Sequence, residues 1–190
     1  MRSIPDVAET AYRGALPTLL VSGVGGLVAG VILGGMDAEL RSVRGLLVMV
    51  PAFLAIRGSV YGSLGSRLSS ALHQGLIDPV FEADERLVAA VVAAFGNGLL
   101  ASVVAAVLAY GVLVGLARPV APLWALLAVA LVGGVLTGVA LSVVIVAVVF
   151  YGYRWGLDPD DLVGPAMTTA GDVFGMASLY VAARFVALAL

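Results

Sequence analysis

Between Arg86 and Arg118 the chain carries no charged residue, and between Arg118 and Arg154 it again carries none. An α-helix rises 1.5 Å per residue, so about 20 residues cross the ~30 Å hydrocarbon layer of a bilayer. Both runs are longer than that. A third uncharged run extends from Gly14 to Met36. It follows Tyr12-Arg13, lacks an Ala-x-Ala ending and is succeeded by more apolar sequence, so it does not read as a cleaved leader. Composition agrees with the pattern. With 62% hydrophobic residues, 12% charged residues and a mean hydropathy of +1.11, the 190 residues cannot cover a soluble surface. The chain reads as an all-α integral membrane protein.

Five spans are expected, in one membrane domain over residues 14–190 after a short N-terminal segment, 1–13, with no soluble regulatory domain. Ile4 to Arg13 fits a short interfacial helix, with Pro5 near its start and Asp6 and Glu9 in its first turns. The first span, about Gly14 to Gly35, carries a ladder of Gly26, Gly30 and Gly34 on which another helix can pack closely. The second, about Gly45 to Gln74, is long or broken. Its apolar start holds Pro51; beyond Arg57 come Gly58-Ser59, Gly62-Ser63, Gly65-Ser66 and Ser69-Ser70. An arginine such as Arg67 at membrane depth costs several kcal/mol unless it meets water, a partner or headgroups. A helix lining an aqueous cleft, or a span ending near Ile56 with an interfacial helix after it, accounts for this composition.

The third span, about Leu87 to Leu116, contains Gly96-Asn97-Gly98, where Asn97 either lines a path or bonds across helices. The fourth, about Leu123 to Tyr151, offers Gly134 and Gly138 for close packing and leaves through Tyr151, Tyr153, Arg154 and Trp155. Asp158-Pro159-Asp160-Asp161 opens the fifth as a cap, a helix-start proline and two first-turn acids. An odd number of spans puts the termini on opposite sides. Arginines divide almost evenly between the two sets of loops, so their balance does not choose an orientation.

Several function classes drop out. There is no cysteine for disulfide, redox or thiolate-metal chemistry, and one histidine, His73, cannot build a multi-histidine centre. A net charge of -2 does not favour nucleic acid. Ser69 and His73 share a helix face with Asp78 nearby in sequence, but no nucleophile elbow accompanies them, and Gly62-Ser63-Leu64-Gly65 lacks the lysine of a phosphate loop. No enzyme is expected.

Asp172 is the residue to explain. Thirteen residues after Pro159, it lies roughly 20 Å along its helix, deep in the hydrocarbon. A carboxylate there serves a cation, an arginine such as Arg57 or Arg67 on another helix, or a proton. Thr168, Thr169 and Gly171 beside it, and Gly58, Ser59, Gly62 and Ser63 on the second span, leave room for a hydrated ion. Carboxylate, hydroxyl, carbonyl and water ligands suit hard cations: Mg2+ above all, with Mn2+ or Ca2+ as alternatives. Asp158, Asp160 and Asp161 would concentrate such ions at a mouth, or act only as helix-start residues.

Two blocks resemble the MgtE magnesium transporter family and its eukaryotic solute-carrier relatives. They are Pro51-Ala52-Phe53 with Arg57-Gly58-Ser59 and Gly65-Ser66-Arg67-Leu68-Ser69-Ser70, and Asp158-Pro159, Pro165 and Thr168-Thr169-Ala170-Gly171-Asp172-Val173-Phe174-Gly175. The resemblance implies a divalent-cation pathway at a dimer interface, formed by the second and fifth helices, with Asp172 of both subunits as the metal ligand. It also implies a cell-membrane protein with a cytoplasmic N-terminus, working as a homodimer or beside a paralogous chain. This chain departs from the family at Ser59, where members often carry asparagine, and in its short N-terminal segment, where bacterial members carry CBS domains. A membrane scaffold that transports nothing is the other reading.

Overall fold

The computed structural model describes residues 4–80, 82 and 84–190, and for 4–15 and 18 the backbone alone. Residues 1–3 and the side chains of Asp6, Glu9 and Arg13 therefore lie outside it. Six helices follow in order: α1 (Ile4–Gly34), α2 (Asp37–Ser42), α3 (Leu46–His73), α4 (Glu85–Gly115), α5 (Leu123–Arg154) and α6 (Pro159–Ala187). Four of them, α3 to α6, are long and apolar enough to cross a membrane; in α1 the described apolar stretch is Leu19–Gly34. The segment expected as a separate interfacial helix, Ile4 to Arg13, instead runs on into α1 without a break.

The second span is long and unbroken. Pro51 sits inside α3 and the Gly-Ser pairs do not interrupt it. Intact backbone bonding is the only inexpensive solution for a segment at membrane depth, and packing against neighbours compensates for the poor helix propensity of glycine. α4 likewise continues through Gly96-Asn97-Gly98. Its start is capped by Asp84, whose carboxylate accepts from the Arg86 and Leu87 amides at 2.8 and 3.1 Å. Asp158 does the same for α6, accepting from the Asp160 amide at 3.0 Å, with Pro159 next in line.

Helices α3 to α6 form the bundle: α6 packs on α5 and α3, α3 also on α4 and α5, and α5 on α4. α1 lies chiefly along α6. The core has two apolar halves. Phe53, Ala106, Ala130 and Met176 border one, and Tyr61, Ala94, Leu141 and Met167 border the other. Between them each helix contributes small or polar residues: Arg57 from α3, Gly98 and Ser102 from α4, Gly134 and Thr137 from α5, Gly171 from α6. This middle layer positions the site.

Candidate functional site

The two sequence blocks meet at mid-helix. Gly58 is 12 residues from Leu46 and 15 from His73; Asp172 is 13 from Pro159 and 15 from Ala187. A Cβ built on Gly171 would stand 3.7 Å from Arg57 Cβ and 3.8 Å from the Gly58 backbone nitrogen. Gly65 lies against Val163, and Gly175 against Leu54, so α3 and α6 run antiparallel. An added Cβ would meet Val163 at 2.7 Å from Gly65 and Leu54 at 2.6 Å from Gly175. Glycine at those two points therefore lets the backbones approach, as small residues do between membrane helices; at Gly171 a Cβ would make only ordinary contact.

That contact fixes which way the next residues turn. Ser59 follows Gly58 and Asp172 follows Gly171, each about 100° further round its helix. Because the helices are antiparallel, both steps turn to the same side. Ser59, Ser63 and Thr168 are exposed there; Gly58, Gly62 and Asp172 are half-buried and Gly171 is buried. Asp172 has no hydrogen-bond or ion-pair partner among the described residues. Thr168 donates to the Gly164 carbonyl at 3.0 Å, which leaves its oxygen lone pairs on the open side.

Other residues take different places. Thr169 turns from this face to α1, where its hydroxyl lies 3.4 Å from Ser22 Oγ and its methyl fills the space beside Gly25. Asn97 joins Ser59, Ser63 and Arg67 in a groove of about 230 Å³ between α3 and α4. A second groove of about 370 Å³ continues it along Ser63, Ser66, Arg67 and Ser70 to Gln74. Asp158, Asp160 and Asp161 stay at the exposed start of α6, away from the middle layer. Among the described residues no three His, Cys, Asp or Glu side chains gather into a metal cluster. Another groove, about 540 Å³ between α1, α5 and α6, is lined by Val21, Val148, Trp155 and Leu162 and does not include Asp172.

Neither arginine pairs with Asp172. Arg57, fully buried, points away into the bundle: Nη2 donates to Ser102 Oγ, and the guanidinium stands 4.2 Å over the Phe53 ring. Ser102 in turn donates to the Gly98 carbonyl at 2.6 Å. Arg57 Nε and Nη1 and the hydroxyls of Tyr61 and Ser142 are buried and make no hydrogen bond of ordinary geometry among the described residues. Sequence reading missed this inward turn of Arg57. Gly98, Gly134 and Gly138 were its signal, since a Cβ at Gly98 would lie 3.1 Å from Nη1 and one at Gly134 3.6 Å from Nη2. His73 and Ser69 are neighbours, but His73 Nδ1 faces the Ser69 carbonyl at 2.9 Å and must donate to it. An Nδ1 that carries hydrogen has no lone pair with which to accept the Ser69 hydroxyl proton.

Long apolar helices around an open, small-residue polar face define a multi-pass membrane protein. The family model for MgtE, described as divalent cation transporter, matches residues 50–182, from α3 through most of α6, and the chain belongs to that family. Among curated proteins it is similar to solute carrier family 41 member 3 of Rattus norvegicus, 27% identical over 197 residues, covering 95% of this chain and 40% of the relative. The Mus musculus protein of that name is 25% identical over 191 residues, covering 92% and 36%. The chain thus spans about two fifths of the length of these relatives. No solved structure matches it.

Proposed function

We propose that this chain moves a divalent cation, Mg2+ in the first place, across the cell membrane along the open face of α3 and α6, with Asp172 as the ion ligand. The observation that carries the reading is the Gly58–Gly171 contact, which turns Ser59 and an unpartnered Asp172 to one open side at mid-helix. A lone carboxylate in hydrocarbon is costly, so an open side holding one must be wet or covered by a matching surface. Mg2+ keeps several of its waters and binds through one or two carboxylates. Two chains apposed on this face would supply two, with Gly58, Gly62 and Gly171 making room for the hydration shell and Ser59, Ser63 and Thr168 bonding to its waters. The second chain is another copy of this one or a paralogue, and the N-terminus is cytoplasmic. Mn2+ and Ca2+ share the required ligand chemistry and would compete.

Purified protein in liposomes tests this. Mg2+ flux should appear with this chain alone, and Asp172→Asn, which keeps the shape and removes the charge, should lower it by about tenfold or more. Competition by Mn2+, Ca2+, Zn2+ and Na+ in the same vesicles orders the selectivity. Asp172→Asn protein moving Mg2+ at the original rate would remove Asp172 from the pathway, and absence of flux from the native chain would favour a scaffold.

A further inference from the structure

Arg57 is fully buried between α3, α4 and α5, at the middle of the bundle, with no carboxylate against it among the described residues. Removing a guanidinium from water without an anion beside it is among the most costly things a membrane helix can do. One hydrogen bond to Ser102, the neighbouring Tyr61 hydroxyl and one ring contact with Phe53 offset only part of that cost. A leucine would fill the space more stably, so packing alone gives no reason for the charge. A second charge of opposite sign stands close by, and it has no partner among the described residues. Arg57 Cβ lies beside Gly171, and Asp172 is the next residue of α6. The guanidinium reaches inward and the carboxylate outward, so the α3–α6 wall separates them.

We infer that Arg57 is a fixed counter-charge behind the ion pathway, a positioning residue that sets how tightly the divalent cation is held. This rests on the reading of Asp172 as the ion ligand. In a pair of chains the two arginines balance the two carboxylates when the site is empty, so the middle of the membrane carries no net charge. When the ion enters, the same arginines repel it. A cation held by two carboxylates in low dielectric would leave slowly; a like charge behind each wall shortens its stay without blocking its path. Ser102, Phe53 and the glycines at 98 and 134 hold the guanidinium on the inner side, where it cannot collapse onto Asp172.

The test compares concentration dependence of Mg2+ flux in liposomes with thermal unfolding of the detergent-solubilised protein. Arg57→Gln keeps length and a donor for Ser102 but loses the charge; its half-saturating Mg2+ concentration should fall about threefold to tenfold, with a lower maximal rate. Arg57→Lys keeps the charge and should keep the native half-saturation. Ser102→Asp neutralises Arg57 in place by an ion pair and should shift half-saturation as Arg57→Gln does, even if Arg57→Gln fails to fold. Half-saturation unchanged in Ser102→Asp, or shifted equally in Arg57→Lys and Arg57→Gln, would overturn the inference and leave Arg57 a helix tie. Asp172→Asn measured in parallel separates the two claims. If it loses flux while the arginine variants do not shift, only the counter-charge falls; if it keeps full flux, the pathway assignment falls first.

Discussion

The outward faces of α4 and α5 and the outward face of α3 answer the same environment in opposite ways. α4 and α5 present Val104, Val107, Leu108, Val112, Val135, Val139 and Val143, all exposed. Such a surface meets acyl chains at no cost. α3 presents Ala55, Ser59, Ser63, Ser66 and Ser70 on its open side and buries Phe53, Tyr61, Leu64 and Leu68 on the other. Adjoining it, α6 adds Gly164, Thr168 and Asp172. Small hydroxyl side chains gain nothing from lipid, and a carboxylate loses heavily there. In the proposed reading, water, an ion or a second chain covers the α3–α6 face, and lipid meets the α4–α5 face.

The largest expected effect comes from filling the space at the centre of the polar face. Gly171→Leu would drive four carbons into the α3–α6 contact, where a Cβ already meets Arg57 and Gly58. Flux should vanish, and overpacking should cost about 1–3 kcal/mol, read as a lower unfolding temperature. Retention of flux would break the idea that α3 and α6 must approach here. Next, Gly138→Ala tests the interior without touching the face. Its Cβ would stand 2.7 Å from the Phe95 ring and 2.8 Å from the Tyr61 hydroxyl, so stability should fall by about 1–2 kcal/mol while ion selectivity stays unchanged. A smaller, selective effect is expected of Ser59→Asn. It restores the amide common in the family and adds a carbonyl ligand, so the Mg2+ to Mn2+ preference should move a few-fold with little change in stability. Smallest of all, Val139→Ala on the lipid face should stay within about 0.5 kcal/mol in unfolding and leave flux alone. An effect as large as that of Ser59→Asn would erase the contrast between the faces.

Much of this contrast is visible in the order of residues. Uncharged runs give α4 and α5, the Asp158-Pro159 start gives α6, and the spacing of the serines along α3 gives a polar stripe, because helical period alone decides those features. What stays hidden depends on neighbours. Gly26, Gly30 and Gly34 of α1 form the clearest packing ladder in the sequence, yet a Cβ at any of them meets nothing within 4 Å. The glycine that packs is Gly25, one step round the helix, against Thr169. Gly134 and Gly138, by contrast, do pack closely, since α5 has partners on several sides. Thr168 and Thr169 are adjacent and chemically alike; about 100° of helical turn separates them, and what Thr169 meets depends on where α1 lies. Arg57 and Arg67 read as equals in the sequence. Ten residues apart on one helix, Arg57 is buried and Arg67 exposed, and the glycines that accommodate Arg57 come from two other helices.

The central claim is that the face beside Asp172 is wet and holds the ion, and the absence of native cysteine makes a direct test clean. A single cysteine at Ser59 in liposome-reconstituted protein should react with a water-soluble maleimide, and millimolar Mg2+ should slow that reaction. In the Asp172→Asn background the cysteine should remain reactive but lose its protection by Mg2+. A Ser59→Cys side chain that stays as unreactive as one at Val139, or whose protection by Mg2+ survives without the carboxylate, would contradict the account.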